Sequence, residues 1–100
     1  MEIKKTIDGN TTVLKLSGRL DTITSPQLGK ELDTVFEAGA INLTFDLSAL
    51  DYISSSGLRV LLSAQKKINS LGTSMKITGV NETVKEIFEV TGFTGILSIE

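Results

Sequence analysis

The chain has 100 residues and a formal net charge of −2, with neither cysteine nor histidine. That excludes disulfides, thiolate metal sites and a Ser-His-Asp triad, and it removes the commonest general base. With 40% hydrophobic and 22% charged residues, the composition is that of one soluble globular domain, too short for two.

No basic patch stands out, so a direct nucleic-acid partner is not expected. No apolar run approaches the ~18 residues of a membrane span. The opening MEIKKTIDG lacks the apolar core of a secretory signal, and the expected address is the cytoplasm.

Met1 to Ser17 reads as a β-hairpin. Ile3, Lys5 and Ile7 alternate with Glu2, Lys4 and Thr6, and Val13, Leu14 and Leu16 mark the return strand. Asp8-Gly9-Asn10 between them tolerates the positive φ of a tight hairpin. Gly18 is expected to end the second strand. In GRLDTITSPQ, Thr24 or Ser25 can cap a helix, with Pro26 in its first turn and Gln27 three residues after Thr24. Leu28, Leu32, Val35 and Phe36 then recur at helical spacing. Gly29 costs that helix about 1 kcal/mol relative to Ala, and Gly39 is its expected stop.

Asn42 to Leu47 is the next strand, with Leu43, Phe45 and Leu47 on one face and Asn42, Thr44 and Asp46 on the other. A strand covered on both faces is usually apolar throughout, so one face here is expected to be thinly covered or wet. The second helix starts among Ser54 to Ser56. Its inner stripe is Leu58, Leu61, Leu62 and Ile68, with Leu71 near its end and Gly72 as its stop. Met75 to Thr78 is a short strand. Asn81 can cap a third helix carrying Val84, Ile87 and Phe88, which Gly92 closes. Ile96, Leu97 and Ile99 form an apolar tail, either an extra strand or a docked segment.

The order is ββαβαβα plus a tail. This predicts a single α/β domain whose mixed sheet begins with a hairpin and continues through alternating helices and strands. Functional residues in such sheets gather beyond the carboxyl ends of the parallel strands. The loops Gly18 to Ser25 and Ser48 to Gly57 are expected to meet there.

The most telling segment is DLSALDYISSSGLRVLL, Asp46 to Leu62. It reads as a buried strand that turns into an amphipathic helix, with serines at the helix start. A hydroxyl there can simply cap the helix. It can also accept a phosphate, because a helix N-terminus tolerates negative charge. Asp46 is expected to stabilise the strand-to-turn geometry, with Asp51 flanking it. Tyr52 and Ile53 are expected to pack into the core below the loop.

Together with GRLDTITSPQL and NETVKEIFEVTGF, this segment resembles the STAS domain of bacterial anti-sigma factor antagonists, over essentially the whole chain. The resemblance implies a cytoplasmic protein that works by partner switching. The unmodified antagonist binds an anti-sigma factor, commonly a GHKL-type serine kinase as well, and so frees a sigma factor. Phosphorylation by that kinase ends binding, and a serine phosphatase resets the cycle. The acceptor implied is Ser55, two positions before Gly57. Several members of the family carry Asp where this chain has Ser54, which keeps Ser54 and Ser56 open as alternative acceptors. Asp21 matches the family's acidic residue in the loop before the first helix. Two other readings are an adaptor in a pathway that does not end in a sigma factor, and a nucleotide-sensing domain.

Arg59, Ser63 and Lys66 follow Ser55 at four, eight and eleven residues, on one helical stripe. The stripe is either a solvated face or a docking surface continuous with the acceptor serine. The candidate partner contacts are therefore Asp21, Ser54, Ser56, Gly57, Arg59, Ser63 and Lys66. No nucleophile-base pair, metal cluster or P-loop lysine motif is evident, so neither an enzyme activity nor a cofactor is expected.

Overall fold

The computed structural model describes residues 1–100. Strands β1 (Glu2–Asp8) and β2 (Thr11–Leu20) precede helix α1 (Ser25–Phe36). Strand β3 (Asn42–Ile53), helix α2 (Ser55–Leu71), strand β4 (Met75–Thr78) and helix α3 (Glu82–Val90) follow, with a short 3₁₀ turn at Phe93–Gly95. The sheet order is β1-β2-β3-β4, antiparallel between β1 and β2 and parallel elsewhere. This is the expected mixed sheet. Gly9, with φ of 59°, occupies the first of the two hairpin loop positions, where a type II′ turn requires glycine.

Cross-strand rows such as Leu14–Phe45–Ile77 face one side. All three helices bury against that side: Leu28, Leu32 and Val35 from α1, Leu58, Leu61, Ala64 and Ile68 from α2, Val84 and Phe88 from α3. They share one cluster of 21 buried apolar residues with the strands. The opposite face carries the rows Val13–Thr44–Lys76 and Lys15–Asp46–Thr78, with Lys15 and Lys76 exposed. This is the wet face anticipated from the polar residues of β3.

Several boundaries differ from the sequence reading. Gly18 does not end β2. It lies inside the strand at φ of 96°, next to a register shift, and pairing with β3 continues to Leu20 and Ile53. That pairing also carries β3 six residues beyond Leu47. Helix α1 ends at Phe36, and Gly39 sits in the turn that follows it. In α2 the buried stripe includes Ala64, whereas Leu62 is half-buried. Tyr52 is outside the core: it is half-buried, with the Arg19 guanidinium 4.4 Å above its ring. The apolar tail is a docked segment. Leu97 is buried, and Ile99 makes a single parallel bridge to Ile77 at the edge of β4.

Candidate functional site

Strands β2 and β3 end side by side, Leu20 opposite Ile53. The amide of Ser54 donates to the Leu20 carbonyl at 2.8 Å, which fixes where the chain leaves the sheet. Ser54 is extended, with φ of −94° and ψ of 174°, and its hydroxyl accepts from the Gly57 amide at 3.3 Å. Ser54 is therefore the N-cap of α2. Ser55 becomes the first helical residue, exposed, with its hydroxyl bonded to no protein group. Ser56 is half-buried, its hydroxyl 3.5 Å from that of Thr22 in the neighbouring loop. The three serines thus have three different environments.

Gly57 is buried where the first turn of α2 approaches the strand ends. A Cβ there would lie 2.7 Å from Leu20 Cγ and 3.0 Å from Ile53 Cγ1. Absence of a side chain lets the helix start seat directly on Leu20 and Ile53.

The second loop is organised by Asp21. Its Oδ1 accepts from the amides of Ile23 and Thr24, each at 3.0 Å, and from the Thr24 hydroxyl at 3.2 Å. The Thr24 amide is the main cause of a carboxyl pKa below the ordinary 3.8; burial opposes it, while the Thr24 hydroxyl, the Ile23 amide and Arg19 reinforce it. Thr24 stands at the N-cap position of α1 without capping it. Its hydroxyl instead turns back, its one proton shared between the Arg19 carbonyl at 2.8 Å and Asp21 Oδ1 at 3.2 Å, while its oxygen accepts from the Asp21 amide at 2.9 Å. Ser25 hydrogen-bonds the Asp21 carbonyl through its own hydroxyl. The loop is thereby tied to the end of β2, and Thr22 reaches the serine run.

The two loops expected to meet do meet, through Thr22 and Ser56. Asp21 lies in the first loop with its carboxylate turned inward on its own backbone. Arg59, Ser63 and Lys66 are all exposed along α2. Arg59 shares a shallow cleft of about 340 Å³ with Thr22, Ser25, Pro26, Gly29, Ser56 and Val60. Ser63 lies farther along, in a groove of about 530 Å³ between α1 and α2 that Lys67 also lines. Lys66 lines neither.

Sequence reasoning passed over Ile23. It is 86% exposed at the tip of the Asp21 loop, beside Thr22. The sequence does hold a signal for it: an isoleucine inside a run of turn-forming and capping residues has no periodic partner to pack against.

The STAS domain model matches residues 2–100. BtrV of Bordetella bronchiseptica, a candidate anti-sigma factor antagonist, is 33% identical over 93% of this chain and 79% of its own length. The anti-sigma-B factor antagonist of Staphylococcus aureus is 25% identical over 99% of this chain and 92% of its own. Among solved structures, the anti-sigma factor antagonist SpoIIAA in its unphosphorylated form superposes with a TM-score of 0.85 at 19% identity, covering 99% of this chain and 88% of that one. The phosphorylated form of Bacillus SpoIIAA gives 0.77 at 18%, covering 99% and 91%. These last two establish likeness of fold. Matched along nearly its whole length, the chain belongs to the STAS domain family, among relatives named as anti-sigma factor antagonists.

Proposed function

We propose that this protein is an anti-sigma factor antagonist that switches partners through Ser55. Unmodified, it binds an anti-sigma factor that is also a serine kinase, and so releases a sigma factor. In the switching step the Ser55 hydroxyl attacks the γ-phosphorus of ATP held by the kinase. Its proton passes to a base of the kinase, and ADP leaves. A phosphatase returns the hydroxyl by hydrolysis, releasing inorganic phosphate. The chain is then the substrate of this chemistry and performs none of it, in a cytoplasmic setting.

The observation that carries this reading is the difference among the three serines. Ser54 is engaged as a cap and Ser56 faces Thr22, while Ser55 projects into solvent from the first turn of a helix. The free amide ends and dipole there favour an added phosphate. Around it lie Thr22, Ile23 and Arg59, exposed on two adjoining elements, which suits a partner that covers the acceptor. Helix α2 carries Arg59, Lys66 and Lys67 and no acidic residue, on a chain whose net charge is −2. Such a cationic face suits an acidic partner surface. A phosphate of about −1.5 to −2 charge at its head would oppose that match.

The test is capture from the source cell with native, Ser55→Ala and Ser55→Asp baits. The reading expects one GHKL-type kinase on the first two baits and not on the third. Equal retention by all three would contradict it.

A further inference from the structure

We propose that Arg59 is an internal clamp for the phosphate on Ser55, so that modification both adds negative charge and withdraws a cation from the docking face. The proposal rests on Ser55 being the acceptor. Ser55 is the first residue of α2 and Arg59 stands four residues on. Positions i and i+4 share a helix face, with Cβ atoms about 5–6 Å apart. Helical side chains lean toward the N-terminus, which puts a phosphate on Ser55 within reach of the Arg59 guanidinium.

Nothing else holds Arg59. The ion pairs are Lys5–Glu31, Arg19–Asp21 and Lys76–Glu100, and none includes it. The other guanidinium of the region, on Arg19, is engaged with Tyr52 and Asp21. The first turn of α2 has no acidic side chain. The cleft beside Arg59 is lined by Thr22, Ser25, Pro26, Gly29, Ser56 and Val60, so Arg59 is its one charged residue. The nearby charged pair, Arg19 at the end of β2 and Asp21 in the loop after it, already face each other.

A phosphoserine at 55 would therefore be the first anion within reach of an uncommitted arginine. A guanidinium binds phosphate oxygens through two parallel N–H donors, the strongest arrangement open to it. Folded back onto the phosphate, Arg59 no longer projects toward a partner. The upper end of the α2 stripe changes sign, while Lys66, about two turns farther on, keeps its charge.

The test uses the full chain with phosphoserine installed directly at position 55, so that no kinase is needed. Phosphorus NMR then follows the second ionisation of the phosphate with pH. Replacing Arg59 by Gln should raise that pKa by about 0.2–0.4 of a unit. Arg59→Lys should recover part of the shift, and Lys66→Gln should leave the pKa where it is. Nitrogen NMR of the Arg59 Nε should also report a change between the hydroxyl and phosphorylated forms. An Arg59→Gln shift no larger than that of Lys66→Gln, or an Arg59 Nε unmoved by the phosphate, would overturn the clamp. Because the phosphate is installed synthetically, a kinase that modifies another serine would refute the functional reading without touching this result.

Discussion

A methyl group at position 57 would sit 2.7 Å from Leu20 Cγ and 3.0 Å from Ile53 Cγ1, both in the buried core. Helix propensity alone favours Ala over Gly by about 1 kcal/mol. Overpacking of a tight core costs about 1–3 kcal/mol. Gly57→Ala should therefore lower stability by up to about 2 kcal/mol in urea denaturation; an increase would show that the helix start has room. Asp21 makes a prediction in pH. Its folded pKa lies below the ordinary 3.8, chiefly because the Thr24 amide bonds the charged form. A depressed carboxyl pKa contributes stability that is present above the unfolded value and is lost as pH falls through the folded one. Stability of native protein relative to Asp21→Asn should thus be greatest near neutrality and shrink below pH 3.8. A gap independent of pH would remove the charge from the explanation. At this scale the sequence was partly legible. An acid two and three residues before Ile23 and Thr24 announces a capped turn. Nothing in the sequence alone says that Gly57 faces Leu20, thirty-seven positions away.

Helix α2 opens on a capping serine, Ser54, followed by an exposed one, Ser55. Ser54→Ala removes the cap from the Gly57 amide and should cost about 1 kcal/mol. Ser55→Ala should change stability by less than about 0.5 kcal/mol, because that hydroxyl bonds nothing. Chemical denaturation of the two variants checks the division, and the reverse ranking would make Ser55 the cap. The helix start was readable only as a window of three serines, since the cap is decided by backbone dihedrals. The outer half of β3 was harder. Alternation breaks at Ser48 and Ala49, both exposed, and β2 shifts register against β3 in this region. Pairing with β2 extends the strand where periodicity stops. Asn81 was legible as a cap of α3, and its oxygen does accept from the Val84 amide at 2.8 Å. Its amide nitrogen also donates to the Leu50 carbonyl at 2.9 Å, anchoring α3 to the irregular end of β3.

Across the whole molecule, helices lie on one face of the sheet and the ends of β2 and β3 deliver two loops to one place. The order of elements and the apolar spacing made this architecture legible, because every buried helix stripe had a strand face to cover. The surface was less so. Ile23 and the cleft between α1 and α2 emerge only from how loops and helices sit together. On the proposed docking face, Ile23→Asp and Arg59→Glu should each weaken partner capture by tenfold or more, comparable to the loss of an interface residue worth about 1.4 kcal/mol. Lys85→Glu on exposed α3 should change it little; equal losses at all three positions would reduce the face to a general charge effect.

The most direct measurement of the proposed switch incubates the protein with ATP and the kinase that the native bait is expected to capture. Peptide mass spectrometry locates the phosphate while analytical gel filtration follows the complex over the same time course. The account predicts phosphate on Ser55 and dissociation in step with its appearance. Phosphate confined to Ser54 or Ser56, or a complex that survives full modification of Ser55, would contradict it.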